Sequence, residues 1–299
     1  MKYLVLPHEG VSEGHVSKYI HRGWSGLPAF YPTSCTKSFY SMCLLAVQYR
    51  LVPEAPVLVA ANREEFYERA TQPPSIQSGK PRVICGVDGQ AGGTWLGVNQ
   101  NGLFVAACNR RKSVPNYPSR SRGVLCRELL RAGSARAAVD SAIDELSSGK
   151  YDGANYVCVD SESAWVVHGG DELETVELEE GLSIISNNDV NDPEDERVEL
   201  ARRLLTLQTL DSPVKFLAVA SKVFARPPSL PGRPSIIIRG KDRGTVSSTL
   251  ISLGQKPRDA IYQYASGPPD QAKYEDCSPM LRDILSRGLR ELRTKAKSS

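Results

Sequence analysis

The chain lacks any apolar run long enough to cross a bilayer as a helix, which needs about 20 mainly apolar residues. Its opening apolar stretch ends at Pro7, before it could form the core of a secretory signal peptide. It also lacks a strong charge bias, because a net charge of +3 without a long basic block argues against nucleic acid or an anionic membrane as partner. We therefore expect a soluble, cytoplasmic protein with no integral membrane segment and no nucleic-acid partner.

Cysteine pairs with the spacing of a zinc knuckle or a redox motif are also missing. The seven cysteines are an odd number, at Cys35, Cys43, Cys85, Cys108, Cys126, Cys158 and Cys277. Several of them lie within apolar runs typical of strands, where buried free thiols are common. We predict no disulfide framework and no metal site, and a reducing compartment is the simplest interpretation.

Residues 1–41 differ from the rest of the chain. They contain three of the four histidines and scattered aromatic residues, and no period of 2 or 3.6 is sustained. We interpret them as an irregular leader outside the fold, either because the biological chain starts at Met42 or because the leader is removed later. The alternative is an extension that stays attached. Residues 42–299 contain no internal repeat and are predicted to form a single domain.

Apolar runs separated by turn signals predict several β-hairpins. Two strands, at 44–50 and 57–61, flank a proline-rich turn, and two further runs flank the turn Asn99-Gln100-Asn101-Gly102. More strands are predicted at 155–160, 164–168, 182–186, 245–253 and 260–265.

Helices are predicted at cap and proline signals. Ser134 precedes apolar residues at helical spacing, Pro193 is placed in the first turn of a helix, and Ser212-Pro213 opens another. The last helix is predicted from about residue 279. Hairpins and paired helices argue against regular βαβ alternation. The predicted fold class is therefore α+β, a four-layer sandwich of two antiparallel sheets between helical layers.

Five segments in order along the chain carry a family resemblance. They are Ala61-Asn62-Arg63-Glu64-Glu65-Phe66, residues 91–99, residues 102–110, Ile185-Ser186-Asn187-Asn188 and residues 244–249. Together they resemble the NRDE family, also called the transport and Golgi organisation protein 2 family, from Met42 to about residue 265. The chain departs from the family pattern at Glu64, where relatives usually carry aspartate. The charge is kept, but the side chain is one methylene longer.

The resemblance implies the αββα fold of N-terminal-nucleophile hydrolases such as penicillin V acylase and bile-salt hydrolase. In those enzymes a cysteine directly after the initiator methionine is the nucleophile, and its own α-amine serves as the base. Cys43 follows Met42 and is the candidate nucleophile. The mechanism requires a free amine at Cys43, whereas the peptide bond from Met42 makes this nitrogen an amide. The alternative is an inert thiol in a half-buried first strand.

The same resemblance implies roles for other residues. Arg63 with Glu64 or Glu65 matches an arginine and an acidic residue near the nucleophile, although a helix start with acidic residues in its first turn is an alternative. Asn109 and Asn187 match asparagines of an oxyanion hole, and otherwise would be turn caps at strand ends. The predicted substrate-binding residues in these motifs are Asn62, Trp95, Asn99 and Arg110.

Three functions remain open from the sequence. The first is a cysteine hydrolase or acyltransferase acting on an amide or thioester. The second is a non-catalytic carrier of haem, acyl-CoA or lipid, linked through the family to haem trafficking, lipid homeostasis and Golgi or secretory organisation. The third is a scaffold on a retired hydrolase fold. No cofactor is expected beyond haem as a ligand, and His168 is interpreted as structural. The oligomeric state is open.

Overall fold

The apolar runs of the sequence form strands, and the computed structural model describes residues 43–114, 118–230 and 233–298. Within these ranges the strands are β1 (Leu44–Tyr49), β2 (Val57–Phe66), β3 (Thr71–Gln77), β4 (Val83–Asp88), β5 (Leu96–Asn99), β6 (Phe104–Asn109), β7 (Ala154–Val159), β8 (Ala164–Gly169), β9 (Leu173–Glu177), β10 (Gly181–Ile185), β11 (Arg243–Leu253), β12 (Ile261–Ala265) and β13 (Glu275–Asp276). The helices are α1 (Arg122–Leu129), α2 (Ala135–Ser147), α3 (Glu196–Leu205), α4 (Pro213–Phe224) and α5 (Ser278–Ser298). The predicted leader, residues 1–41, lies outside the described residues.

The strands form two antiparallel sheets. The first sheet has the order β10-β1-β2-β11-β12-β13, and the second is a meander in chain order from β3 to β9. The hairpins predicted around residues 99–102 and 160–163 are confirmed as β5–β6 and β7–β8. Each hairpin joins neighbouring strands of the second sheet.

Three apolar clusters define four layers. The central cluster lies between the two sheets and includes Leu45 and Val47 of β1. The opposite face of β1, with Leu44 and Ala46, packs with α3 and α4 in a second cluster. Helices α1 and α2 cover the outer face of the second sheet in a third cluster. Both faces of β1 are buried, which explains its continuous apolar run, and the predicted αββα sandwich is confirmed.

Side-chain caps fix the helix starts. The Oγ atoms of Ser134 and Ser212 accept the predicted hydrogen bonds from the first turns of α2 and α4. The helix predicted after Pro193 is confirmed as α3, but the place predicted for Pro193 in its first turn is wrong. Asp195 is the cap, accepting from the Arg197 and Val198 amides, and Pro193 lies before it. The helix start considered as an alternative at residues 62–65 is also wrong, since β2 continues to Phe66.

Helix α5 packs its Leu281 and Ile284 into the central cluster. Met280 and Leu285 are partly buried against the same cluster, whereas Leu289 and Leu292 are exposed. Among the described residues, no helix combines the length and the apolar character that a membrane span requires.

Candidate active site

Cys43 lies at the edge of the first sheet, one residue before β1. The pairing of Leu44 with Asn62 and of Leu45 with Ile185 continues in register to place residue 43 between Arg63 and Asn187. Three of the predicted catalytic positions therefore lie side by side on neighbouring strand ends. The common cause is the antiparallel register of β10, β1 and β2.

A cleft of about 500 Å³ opens at Cys43. Five other predicted site residues line it, namely Arg63, Glu64, Glu65, Trp95 and Asn109. The lining also includes residues that the sequence did not single out, among them Arg69, Asp88, Cys108, Arg120 and Arg122. The cleft thus joins the ends of β1 and β2 in one sheet with the end of β6 in the other and the start of α1.

The Cys43 thiol is held close to that of Cys108, which comes from β6 in the opposite sheet. A hydrogen bond from Cys108 lowers the pKa of Cys43 to about 6, with the Glu64 amide and Arg63 acting in the same direction and burial acting against them. The same contact, together with burial, raises the pKa of Cys108 well above its ordinary value. Of the two thiols, Cys43 is therefore the one that is deprotonated near neutral pH.

Glu64 is buried behind the thiol, with a side chain that is 0% exposed. Its Oε1 atom accepts hydrogen bonds from Arg197 Nη2 at 2.7 Å and Thr245 Oγ1 at 3.0 Å. Its Oε2 atom is buried without a hydrogen-bond partner among the described residues. Burial raises the pKa of Glu64 to about 8, although the Arg197 guanidinium opposes that rise. A buried carboxyl oxygen without a hydrogen-bond partner in the described part of the chain therefore belongs to the lining of the cleft that contains Cys43.

Ion pairs hold the wall of the cleft on the β2 side. Arg69 donates to both carboxylate oxygens of Asp88, at 3.0 and 2.7 Å. The Glu65 carboxylate lies 3.5 Å from Arg63 Nη2 and 3.7 Å from Arg69 Nε. The Arg63 guanidinium also stacks on Trp95, 4.5 Å from the ring centroid. These contacts fix Arg63 next to the thiol.

Asn187 is buried and is held from the second sheet by Asn155. The Asn155 Nδ2 atom donates to the carbonyls of Ser186 at 3.0 Å and Asn188 at 2.8 Å, on either side of Asn187. Asn109 is partly exposed at the end of β6 and lines the cleft. The oxyanion roles predicted for the two asparagines stay predictions.

The remaining predicted residues make contacts that support the fold. Asn62 Nδ2 donates to the Phe224 carbonyl in the helical layer. Asn99 donates to the carbonyls of Leu130 and Ala132. Arg110 pairs with Asp189 at 2.6 Å. None of Asn62, Asn99 and Arg110 is among the residues that line the 500 Å³ cleft, and their substrate-binding roles stay predictions.

Sequence reasoning missed Arg197, Thr245 and Cys108. Arg197 lies on the buried face of α3 with Val198 and Ala201. An arginine within the apolar stripe of a helix could have indicated in the sequence that this side chain has a buried acidic partner. Thr245 is in β11, directly opposite Glu64 in register. Cys108 gave no signal, because its partner thiol belongs to the other sheet.

The chain matches one protein family along most of its length. The family model described as Transport and Golgi organisation 2 matches residues 42–256. The Transport and Golgi organization protein 2 homolog of Bos taurus is 31% identical over 96 residues, which is 30% of this chain and 35% of that protein. The match therefore spans about a third of the length of the curated relatives.

Solved structures give similarities of overall shape. Penicillin V acylase from Agrobacterium tumefaciens matches with a TM-score of 0.43 and 13% identity, covering 75% of this chain and 82% of that chain. The N-acylethanolamine-hydrolyzing acid amidase ortholog of Caenorhabditis elegans matches with a TM-score of 0.47 and 13% identity, covering 70% and 92%.

Proposed function

The chain belongs to the Transport and Golgi organisation 2 family, and on that premise we propose that it is a cysteine-nucleophile hydrolase or acyltransferase acting on an amide or a thioester. One observation carries the proposal. The cleft combines a thiol whose pKa is about 6 with a buried carboxylate oxygen that has no partner among the described residues. Perturbed ionisable groups of this kind cluster at catalytic sites.

In the proposed reaction, the Cys43 thiolate attacks the substrate carbonyl carbon, and the electron pair of the C=O bond moves to oxygen. Side-chain amides of Asn109 and Asn187 donate hydrogen bonds to this oxyanion. As the C–N or C–S bond breaks, the leaving group takes a proton from the ammonium of residue 43. Water then hydrolyses the acyl thioester on Cys43, or an amine or thiol acceptor receives the acyl group.

Glu64 has a defined part in this scheme. The positive charge of the α-ammonium of residue 43 favours the ionised form of Glu64. The Oε2 atom of this carboxylate then accepts a hydrogen bond from the ammonium and holds it beside the sulfur, while Arg197 and Thr245 hold Oε1. The longer side chain of glutamate, compared with the aspartate expected from relatives, is fixed by these two contacts. The scheme requires that the bond between Met42 and Cys43 be absent from the active protein.

The test compares the whole chain with a form produced from the Met42 codon, whose loss of methionine is verified by intact mass. Both are assayed against panels of acyl p-nitroanilides and acyl thioesters of N-acetylcysteamine. We expect turnover by the form that begins at Cys43, none by the whole chain, and none after Cys43→Ala. Cys277→Ala is the matched control, because that buried thiol lies outside the cleft, and it should leave turnover unchanged.

Two results would contradict the proposal. One is turnover that survives Cys43→Ala, and the other is a form beginning at Cys43 that is inert toward both panels.

Ligand carriage without turnover is the second candidate. It is favoured by the peptide bond between Met42 and Cys43, since an amide nitrogen at residue 43 cannot act as a base. Haem would need a ligand other than His168 in the described part of the chain, because that side chain is 1% exposed and lies outside the cleft. Binding of an acyl-CoA or haem by the whole chain, with no product, would support this candidate.

A further inference from the structure

The cleft at Cys43 is lined by an uneven set of charges. Four arginines line it, Arg63, Arg69, Arg120 and Arg122, against three carboxylates, Glu64, Glu65 and Asp88. A charged ligand is bound most strongly by a side chain that has no ionic partner within the protein, because a charge that is already paired attracts a second partner more weakly.

Each of the three carboxyl groups already has an arginine partner. Asp88 is paired with Arg69 at 2.7 Å, and Glu65 lies between Arg63 and Arg69. Glu64 is paired with Arg197, which enters from α3 and does not line the cleft. No lining carboxylate is therefore left to neutralise the arginines on the opposite wall.

That opposite wall is the start of α1 and the residues before it. Arg120 has a partner outside the cleft, Glu145, at 2.6 Å. Arg122 donates through Nη1 to the Gly153 carbonyl at 3.1 Å, and no carboxylate of the described residues lies within 4.0 Å of it. Arg122 is therefore a cleft-lining arginine whose guanidinium has no carboxylate partner among the described residues.

We propose that the cleft takes acyl compounds that carry a carboxylate, and that Arg122 binds this group while the reacting carbonyl lies at Cys43. A guanidinium pairs with a carboxylate through two parallel hydrogen bonds, which sets both position and orientation. The charged groups that act most on the Cys43 thiol include Arg63 and Glu65 on the other wall, and Arg122 is not one of them. In this arrangement the carboxylate that Arg122 binds and the carbonyl that Cys43 attacks are separate groups of one substrate. This inference rests on the proposed function and names its substrate class.

The test uses two maleimides of the same shape, 3-maleimidopropionate and its neutral amide. Each adds to a thiolate without a leaving group, and the whole chain is labelled with each in turn. Rate constants for Cys43 are obtained from the mass of the peptide that contains it, and the ratio of the anionic to the neutral reagent is the readout. The same ratio for N-acetylcysteine corrects for the intrinsic reactivity of the two reagents.

We expect the corrected ratio to exceed 1 and to fall by about fivefold to tenfold in Arg122→Met, the range for loss of one charge contact at a partly hydrated site. Arg122→Lys should retain part of it. Arg127→Met is the matched control, because Arg127 also belongs to α1 and donates to one backbone carbonyl, of Gly92 at 2.9 Å, but does not line the cleft. It should leave the ratio unchanged.

An unchanged ratio in Arg122→Met would overturn the inference, and so would an equal fall in Arg127→Met or failure of both reagents to label Cys43. A different measurement in the same experiment tests the proposed function. A Cys43 no more reactive than N-acetylcysteine toward the neutral reagent counts against the nucleophile, whereas the ratio reports only the charge of the cleft.

Discussion

At the scale of single residues, the charge state of Cys43 depends on one neighbouring thiol. Cys108 comes from β6 in the other sheet and donates its hydrogen to the Cys43 sulfur, so it stabilises the thiolate and remains protonated itself. Burial alone would have the opposite effect on Cys43. The charge state of the Cys43 thiol therefore depends on the contact between two sheets.

Replacing Cys108 by alanine removes this donor, so we predict that the pKa of Cys43 rises from about 6 toward its ordinary value of 9.0. The measurement is the rate of Cys43 alkylation by iodoacetamide as a function of pH. The midpoint should lie near pH 6 in the unchanged protein and at least about one unit higher in Cys108→Ala, since loss of one hydrogen bond to a charged group costs about 1.5–3 kcal/mol.

Cys108→Ser is the matched variant, because its hydroxyl keeps a donor at nearly the same place. Its midpoint should lie closer to that of the unchanged protein. If all three proteins share one midpoint, Cys108 does not control the ionisation of Cys43.

At the scale of elements, helix α5 approaches the turn between β5 and β6 at a glycine. A Cβ atom on Gly288 would lie 2.0 Å from the carbonyl oxygen of Gln100. Gly288 is inside α5 and Gln100 is in the turn after β5, so the oxygen belongs to backbone and not to a flexible side chain. Gln100 also donates through Nε2 to Glu291, one turn along, at 2.8 Å. The close packing of α5 on this turn therefore depends on the absence of a side chain at residue 288.

Gly288→Ala is predicted to lower the free energy of unfolding by about 1–3 kcal/mol, the usual cost of overpacking. Helix propensity alone predicts the opposite sign, since alanine is favoured over glycine by about 1 kcal/mol in a helix. Urea unfolding decides between them. Gly133→Ala is the control, because nothing lies within 4 Å of its Cβ position, and it should change stability little. A stabilised Gly288→Ala would show that α5 is free to move away.

The elements with local signals could be predicted from the sequence. The hairpins β5–β6 and β7–β8 have turn residues between apolar runs, and Ser134 and Ser212 are caps that hydrogen-bond within four residues. Strand β3 could not be predicted, since two prolines interrupt it and only its place at a sheet edge tolerates them. The charged end of β2 also gave no strand signal, because Arg63 and Glu64 are buried against partners from distant segments.

At the scale of the whole molecule, the site is formed where separate layers meet. Family motifs predicted Cys43, Glu64 and Asn109 from the sequence, but their chemistry depends on Cys108 in the second sheet and Arg197 in a helical layer. No local pattern records a contact between residues 133 positions apart, as Arg197 and Glu64 are. The motifs single out these residues as candidates, whereas the partners that shift the pKa values of Cys43 and Glu64 are visible only in the folded structure.

A second polar connection joins the sheets behind the site. The Asn155 amide group donates both hydrogens to the segment after β10, so its Oδ1 must accept, and His168 Nδ1 lies 2.8 Å from it. His168 is therefore the neutral tautomer that carries its hydrogen on Nδ1. Arg110 faces the same ring, and Asp189 pairs with Arg110.

Burial, with the Arg110 charge acting in the same direction, lowers the pKa of His168 from 6.5 to about 4. His168 therefore binds a proton below about pH 6.5 in the unfolded chain, but only below about pH 4 in the folded protein. The resulting stabilisation is complete above pH 6.5 and is lost as the pH falls toward 4. Its size is about 3 kcal/mol at 1.36 kcal/mol per pKa unit.

We therefore predict that His168→Gln, which cannot titrate but can still donate to Asn155, loses less stability than the unchanged protein between pH 7 and pH 4. Urea unfolding at half-unit pH steps gives the two slopes, and their difference isolates His168 because both proteins share every other titrating group. The variant should be similar to the unchanged protein, or weaker, at pH 7, and the two curves should converge or cross as the pH falls. Parallel curves would mean that His168 has the same affinity for protons in the folded and unfolded states, and that the link between the sheets does not depend on its neutrality.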